Sequence, residues 1–170
     1  MLTQIFASSV MISGLVLSSL AISASQVNAD SENRHSAASV QTISDQNVQA
    51  LGKDWGTALA SRNVNQITAL YAQEAVLLAT FNDELDTPDE IKNYFIGLTQ
   101  KPDLKVVFNT ENVQVLDDNT VTNSGLYTFS YTENGKTVEV PARYTFLYEK
   151  KDDRWMIVKH HSSVRPEQAQ

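Results

Sequence analysis

An alternation of apolar and polar residues, which runs through the last 60 or so positions of the chain, constrains the fold most strongly. A period of two is typical of β-strands that are buried on one face. Turn-forming residues interrupt the alternation at 117–119, at Asn134-Gly135 and at 151–153. The pattern predicts consecutive strands at 104–109, 112–116, 121–131, 136–150 and 155–163.

Helical spacing precedes this run. Ser44 is a good N-cap for a first helix that ends near Asn63. A second, shorter helix is predicted from Asn65 through Tyr71, followed by a strand at 75–81. The segment Thr87-Pro88-Asp89-Glu90 has the capping-box pattern of a third helix, which we expect to end at Lys101-Pro102. Helices grouped ahead of strands predict an α+β fold, in which three N-terminal helices cover one face of a curved antiparallel sheet.

The N-terminus has the features of an export signal. No charged side chain precedes Asp30, apolar residues dominate 5–22, and Val27 and Ala29 are small residues suited to a cleavage site. We expect a signal peptide over 1–29, cleaved after Ala29, and a periplasmic or secreted protein. The absence of Lys and Arg before the apolar run leaves a retained anchor open. We expect residues 30–43 to form a disordered linker and residues 44–166 to form one folded domain. Residues 167–170 are the expected C-terminal tail.

Composition narrows the classes of partner. The sequence has no cysteine, which excludes disulfides and thiolate chemistry. It has 20 acidic and 13 basic residues, and the net charge of −7 argues against nucleic acid or anionic lipid as the main partner. We expect no metal site, no cofactor and no membrane association after signal removal.

The closing strand ends in two adjacent histidines. Unless a bulge interrupts the strand, His161 and Ser163 share a face with Trp155 and Ile157, and His160 points the other way. We expect the Trp155 face to pack on the helices, so that His161 and Ser163 reach the open end of the concavity and His160 lies on the outer face, at a subunit interface. His161 is then either a ligand contact and acid/base group or a hydrogen-bonded rim residue.

Arg143 lies in an aromatic-rich strand, where a guanidinium needs a partner. It either pairs with Glu139, Glu149 or Asp153, or binds a carboxylate-bearing ligand. Three tyrosines are candidate phenolic donors to the same pocket, with a core role as the alternative; these are Tyr71, Tyr94 and Tyr127. The acidic run 81–86 is interpreted as a solvated loop.

Four features carry a resemblance to a known family: the order of elements, Trp55, the TPDE at 87–90 and the segment ARYTFLYEKKDDRWMIVKHHSS at 142–163. Together they resemble a nuclear-transport-factor-2-like domain, also called cystatin-like or polyketide-cyclase-like. Over 44–166 the chain is similar to the association domain of calcium/calmodulin-dependent protein kinase II and its stand-alone bacterial relatives. The resemblance implies a cone-shaped α+β barrel, a pocket between the helices and the concave sheet face, and dimers or larger rings formed through the sheet. It also implies that Arg143 and His161 match pocket residues of that family.

Three functions follow as hypotheses. The first is an exported, self-assembling domain that binds a small, carboxylate-bearing ligand through Arg143 and His161. The second is an isomerase, dehydratase or hydrolase that uses His161 as acid/base, although no aspartate falls in the concave-face pattern of the strands. The third is a structural scaffold that assembles through the face of Tyr144, Phe146 and Tyr148.

Overall fold

A computed structural model describes residues 42–80 and 82–166. The predicted signal peptide, linker residues 30–41, the C-terminal tail 167–170 and Phe81 at the end of a predicted strand lie outside the described residues. The helices are α1 (Asp45–Ser61), α2 (Val64–Thr68) and α3 (Pro88–Leu98). None of these described helices combines the length and the apolar character needed to cross a membrane.

The strands form one six-stranded sheet. They are β1 (Tyr71–Leu78), β2 (Glu84–Leu85), β3 (Lys105–Asp117), β4 (Thr120–Glu133), β5 (Lys136–Lys151) and β6 (Arg154–Val164). Their order is β2-β1-β6-β5-β4-β3, and every neighbouring pair is antiparallel except β1 and β6, which are parallel. The sheet is curved and does not close on itself. The predicted α+β class, with three helices ahead of a curved sheet, is confirmed.

Local sequence explains the helix starts. The Ser44 side chain accepts a hydrogen bond from the backbone N–H of Asn47 at 3.3 Å, which caps α1. At α3 the Thr87 side chain accepts from the backbone N–H of Glu90, and the Glu90 carboxylate accepts from the backbone N–H of Thr87, at 3.3 and 3.2 Å. Both predicted starts are confirmed, because each cap satisfies helix N–H groups that have no partner within the helix.

Three element boundaries differ from the prediction. Helix α2 ends at Thr68, so Tyr71 is not helical; it begins β1, which pairs with β6 from this point. The two strands predicted at 104–109 and 112–116 are one strand, β3, with a shift in pairing near Asn109. The short strand β2 forms within the acidic run 81–86, where a loop was predicted. In each case pairing with a neighbouring strand outweighs local preference.

The core lies between the helices and the inner, concave face of the sheet. Trp55 of α1 is at its centre, 1% exposed, with its ring against those of Phe95, Tyr127 and Phe146. The inner face of β5 supplies Tyr144, Phe146 and Tyr148, each at most 2% exposed. The prediction that these three residues form an oligomer interface is therefore wrong: they point into the protein's own core.

Candidate functional site

A one-residue irregularity in β6 decides where the two histidines point. Leu147 of β5 pairs with Lys159 and Tyr148 pairs with Ile157, so Val158 is an extra residue between them. Ile157 and Val158 are both buried, and the alternation changes phase after them. His160 and Ser162 therefore point inward while His161 is exposed. The predicted orientations of His160 and His161 are wrong.

His160 belongs to a buried hydrogen-bond chain. The indole N–H of Trp55 donates to Tyr71 Oη at 3.0 Å, and Tyr71 Oη lies 2.8 Å from His160 Nδ1. The other ring nitrogen of His160, Nε2, is buried and has no hydrogen-bond partner among the described residues. Burial lowers the pKa of His160 to about 3 and raises the pKa of Tyr71. Both groups are therefore neutral at pH 7.

A cavity of about 510 Å³ opens between α3 and the inner faces of β4, β5 and β6. Its walls are largely apolar, formed by Gly97, Leu98, Leu104, Phe129, Val140 and Ala142. Polar side chains interrupt them at Thr80, Asn82, Asn93, Tyr94, Lys101, Tyr131 and Ser162. An apolar enclosure with a few convergent polar groups is the usual form of a small-molecule site. We call it the inner cavity.

Three hydroxyl groups are joined at one side of the inner cavity. Tyr127 Oη donates to Ser162 Oγ at 2.6 Å, and Ser162 Oγ lies 3.0 Å from Thr80 Oγ1. Burial raises the pKa of the Tyr127 phenol, so it keeps its proton at neutral pH. Tyr94 lines the cavity directly, and burial raises its pKa to about 12. Two of the three predicted pocket tyrosines thus lie in or beside the cavity, whereas Tyr71 is engaged in the core.

The cation of the inner cavity is Lys101, which sequence reasoning missed. Its Nζ lies 3.8 Å from the centroid of the Tyr131 ring, a cation–π distance. Asn93, Gly97 and Lys101 recur every four residues, as expected for positions on one face of a helical segment. This spacing was the available signal, but Lys101-Pro102 was interpreted only as a helix end.

Arg143, His161 and Ser163 do come together, but on the outer face of the sheet. Arg143 pairs directly with Ser163, and the next pair on the same face of the sheet is Thr145 and His161. Arg143 and His161 are exposed and lie between residues that point into the core. The prediction that they line the concave pocket is wrong. The extra residue Val158 changes the phase of β6 ahead of His161, and in β5 the buried Ala142 and Tyr144 take the inner face on either side of Arg143. We call these three residues the outer-face cluster.

The predicted ion pairs of Arg143 are not found among the described residues. Glu149 pairs with Lys151, and Asp153 pairs with Lys150 at 3.2 Å. Ser163 Oγ is buried and has no hydrogen-bond partner within the described part of the chain. The outer-face cluster thus presents cationic and hydroxyl groups that the described residues leave without acidic partners.

The chemistry of the inner cavity favours binding. Among the described residues that line it there is no aspartate, glutamate or histidine. A general base must lie within hydrogen-bond reach of the proton it removes. His161 is on the other side of the sheet, so the prediction that it acts as acid/base in this pocket is wrong.

The outer face also carries apolar side chains. Leu78, Val107 and Leu116 are 45%, 55% and 58% exposed. A groove of about 670 Å³ on this face is lined by Val76, Leu78, Leu116, Leu147 and neighbouring polar residues, among them Glu84, Lys159 and His161. Leu78 and Leu116 share this groove, and exposed apolar residues that lie together rather than scattered indicate a contact surface.

Comparison with known proteins assigns the family. The family model of the calcium/calmodulin dependent protein kinase II association domain matches residues 44–166. A structure from Xanthomonas campestris, named as a candidate for the same association domain, is 42% identical, with a TM-score of 0.70 over 74% of this chain and 90% of that one. A search of curated proteins found no match.

More distant structures share the fold. The CaMKII hub homology domain of Chlamydomonas reinhardtii is 22% identical, with a TM-score of 0.63 over 71% of this chain and 97% of that one. A candidate dehydratase of the NTF2-like family from Streptomyces avermitilis is 12% identical, with a TM-score of 0.66 over 72% and 96%. The fold thus occurs under names that imply both assembly and catalysis. By its family match and its 42% identical relative, the chain belongs to the calcium/calmodulin dependent protein kinase II association domain family.

Proposed function

We propose that this chain is an exported domain that associates with copies of itself through the outer face of its sheet and binds a small molecule in its inner cavity. Membership of an association-domain family supports self-association, as does the hub domain among its structural neighbours. The observation that carries the proposal is the groove on the side of the sheet opposite the helices, where Leu78 and Leu116 are 45% and 58% exposed.

The outer face suits contact between identical copies. Its groove combines apolar side chains with groups of both charges, Glu84 and Lys159, so a second copy can oppose unlike charges. Arg143 and His161 lie on the same face, and we expect them near the contact. The interface residues proposed here replace Tyr144, Phe146 and Tyr148, which the core already buries.

The inner cavity is the proposed ligand site, and a carboxylate-bearing molecule fits its charge. Lys101 supplies one cation beside the Tyr131 ring, and the described residues of the lining contain no acid. The apolar walls would enclose the body of the ligand. The competing carboxylate site is the outer-face cluster of Arg143, His161 and Ser163.

Native mass spectrometry of the mature protein, residues 30–170, tests both parts. We expect a defined oligomer that carries a reproducible small mass, which is lost in Lys101→Gln and kept in Arg143→Gln. Loss of the small mass in Arg143→Gln alone would show that the ligand binds at the outer-face cluster and not in the inner cavity. An oligomer without any added mass would favour a purely structural scaffold, and a bare monomer would contradict self-association.

Export is a separate part of the proposal. It is supported by the uncharged, apolar N-terminus and by Val27 and Ala29 at the expected cleavage site. N-terminal sequencing of the protein recovered from an export compartment should begin at Asp30. Recovery of the chain with Met1 in the membrane fraction would favour the retained anchor instead.

A further inference from the structure

The polar side of the inner cavity carries a hydroxyl chain whose hydrogens can be counted. Its members are Thr80, Ser162 and Tyr127, and both Thr80 and Ser162 line the cavity. Each hydroxyl has one hydrogen to donate and two lone pairs that accept. Three hydrogens are therefore available, and two of them are used in the bonds between Tyr127 and Ser162 and between Ser162 and Thr80.

The direction of the first bond is set by Tyr127, because its hydroxyl is a donor to Ser162 Oγ at 2.6 Å and burial raises the pKa of its phenol. The second bond can run either way. If Ser162 donates to Thr80, the Thr80 hydrogen is left over; if Thr80 donates to Ser162, the Ser162 hydrogen is left over. Among the described residues neither hydroxyl has a further partner, and in both cases the spare hydrogen belongs to a residue of the cavity lining.

A spare donor in a mostly apolar enclosure needs an acceptor. A polar group that is removed from water without a partner costs free energy, so a ligand that supplies an oxygen there gains relative to one that does not. Ser162 Oγ already accepts from Tyr127, and the neighbouring walls at Ala142 and Val140 offer no side-chain acceptor. The site therefore distinguishes ligands that accept a hydrogen bond from ligands that lack an acceptor.

From this count we propose that Thr80 and Ser162, oriented by Tyr127, select an apolar ligand that carries a carbonyl oxygen and hold that oxygen against the hydroxyl chain. Ser162 and Thr80 are the contacting residues, and Tyr127 is a positioning residue that fixes the direction of the Ser162 bond. The inference rests on the proposed function, since it assigns specificity within the same cavity. It is independent of Lys101, because it concerns an uncharged part of the ligand.

Two neutral probes of nearly equal size isolate this oxygen: indane, which has no polar atom, and 1-indanone, which adds one carbonyl. Their dissociation constants are measured by NMR titration on the purified protein, following resonances of Tyr94 and Phe129. The ratio of the two constants is compared between wild type and variants, so that the different hydration of the probes cancels. The double variant Thr80→Val/Ser162→Ala removes both hydroxyls that can hold the spare hydrogen, and it should lose about fivefold of the preference for 1-indanone, the size of one neutral hydrogen bond.

Single variants provide the controls for this count. Thr80→Val leaves the hydrogen of Ser162 free and Ser162→Ala leaves the hydrogen of Thr80 free, so each should keep the preference within about twofold of wild type, the margin that separates a made hydrogen bond from a lost one. Ser130→Ala removes a buried serine hydroxyl that is not among the residues lining the cavity, and it should change nothing.

The outcomes separate the two proposals. Binding of both probes with an unchanged ratio in the double variant would overturn the carbonyl inference and leave the cavity as a binding site. A loss of the same size in either single variant would contradict the hydrogen count. If neither probe binds the wild-type protein at its solubility limit, both the inference and the proposed ligand site are wrong.

Discussion

At the residue scale, His160 lies in the core with its ring centroid 4.3 Å from that of Phe146 and 5.2 Å from that of Trp55. Tyr71 Oη lies within hydrogen-bond distance of the Nδ1 of His160, at 2.8 Å. Charging this imidazole would place a cation among aromatic rings with no acid beside it in the described structure, which is why burial lowers its pKa. His160 is thus a group that must stay neutral for the fold to persist.

This burial predicts an acid-sensitive stability. The ordinary histidine pKa is about 6.5, so below that pH this histidine is protonated in the unfolded chain. In the folded chain it stays neutral down to about pH 3. The free energy of unfolding should therefore fall as the pH decreases, by about 2 kcal/mol from this group between pH 8 and pH 5. Urea unfolding at the two pH values, at one protein concentration, measures the change.

The variant His160→Gln, which keeps an acceptor for Tyr71, should lose that share of the pH dependence. His161→Gln is the matched control on the exposed neighbour and should retain it. A pH dependence that persists in His160→Gln and disappears in His161→Gln would show that His161, and not His160, is buried in the core.

The sequence shows both histidines at the end of β6, but it does not show which face of the sheet each side chain points to. Met156, Ile157 and Val158 are three consecutive apolar residues, so a bulge among them leaves no trace in the pattern. One extra residue reverses every later side chain. Lys101 was missed for a different reason: its relation to Tyr131 depends on how the segment after α3 lies against β4, which local sequence does not specify.

At the element scale, the strand prediction succeeded where turn chemistry bounded the alternation. Strands predicted at 121–131, 136–150 and 155–163 are observed as Thr120–Glu133, Lys136–Lys151 and Arg154–Val164. Asn134 and Gly135 have positive φ values of 51° and 71°, as the predicted hairpin requires. The division of β3 into two strands was wrong because its irregularity near Asn109 is accommodated by a glycine on the neighbouring strand.

That glycine predicts a specific intolerance between β3 and β4. A Cβ at Gly125 would overlap the backbone carbonyl of Thr110, and backbone cannot move aside as a flexible side chain can. Gly125→Ala should lower the free energy of unfolding by about 1–3 kcal/mol, the usual range for overpacking. Denaturant unfolding followed by circular dichroism provides the measurement.

The matched control is Gly97→Ala in α3, where an added Cβ meets nothing within 4 Å. Alanine is favoured over glycine in a helix interior by roughly 0.5–1 kcal/mol, so this variant should be at least as stable as wild type. Equal stabilities for the two alanine variants would mean that β3 and β4 do not approach as described.

At the scale of the whole molecule, the curved sheet separates the two proposed functions. Its inner face is covered by helices and encloses the core and the inner cavity, while its outer face exposes apolar side chains and the outer-face cluster. Because alternate residues of each strand serve opposite faces, a substitution on one face can leave the other intact. Association and ligand binding are therefore expected to be separable by single substitutions.

The most direct test of the central claim is sedimentation velocity on two variants with matched exposure. Leu78 on the outer face is 45% exposed and Ile96 on α3 is 44% exposed. Burying an unpaired carboxylate at a contact is costly, so Leu78→Glu should weaken association by about tenfold or more, and Ile96→Glu should sediment as wild type. An oligomer that survives Leu78→Glu and dissociates in Ile96→Glu would contradict assembly through the outer face of the sheet.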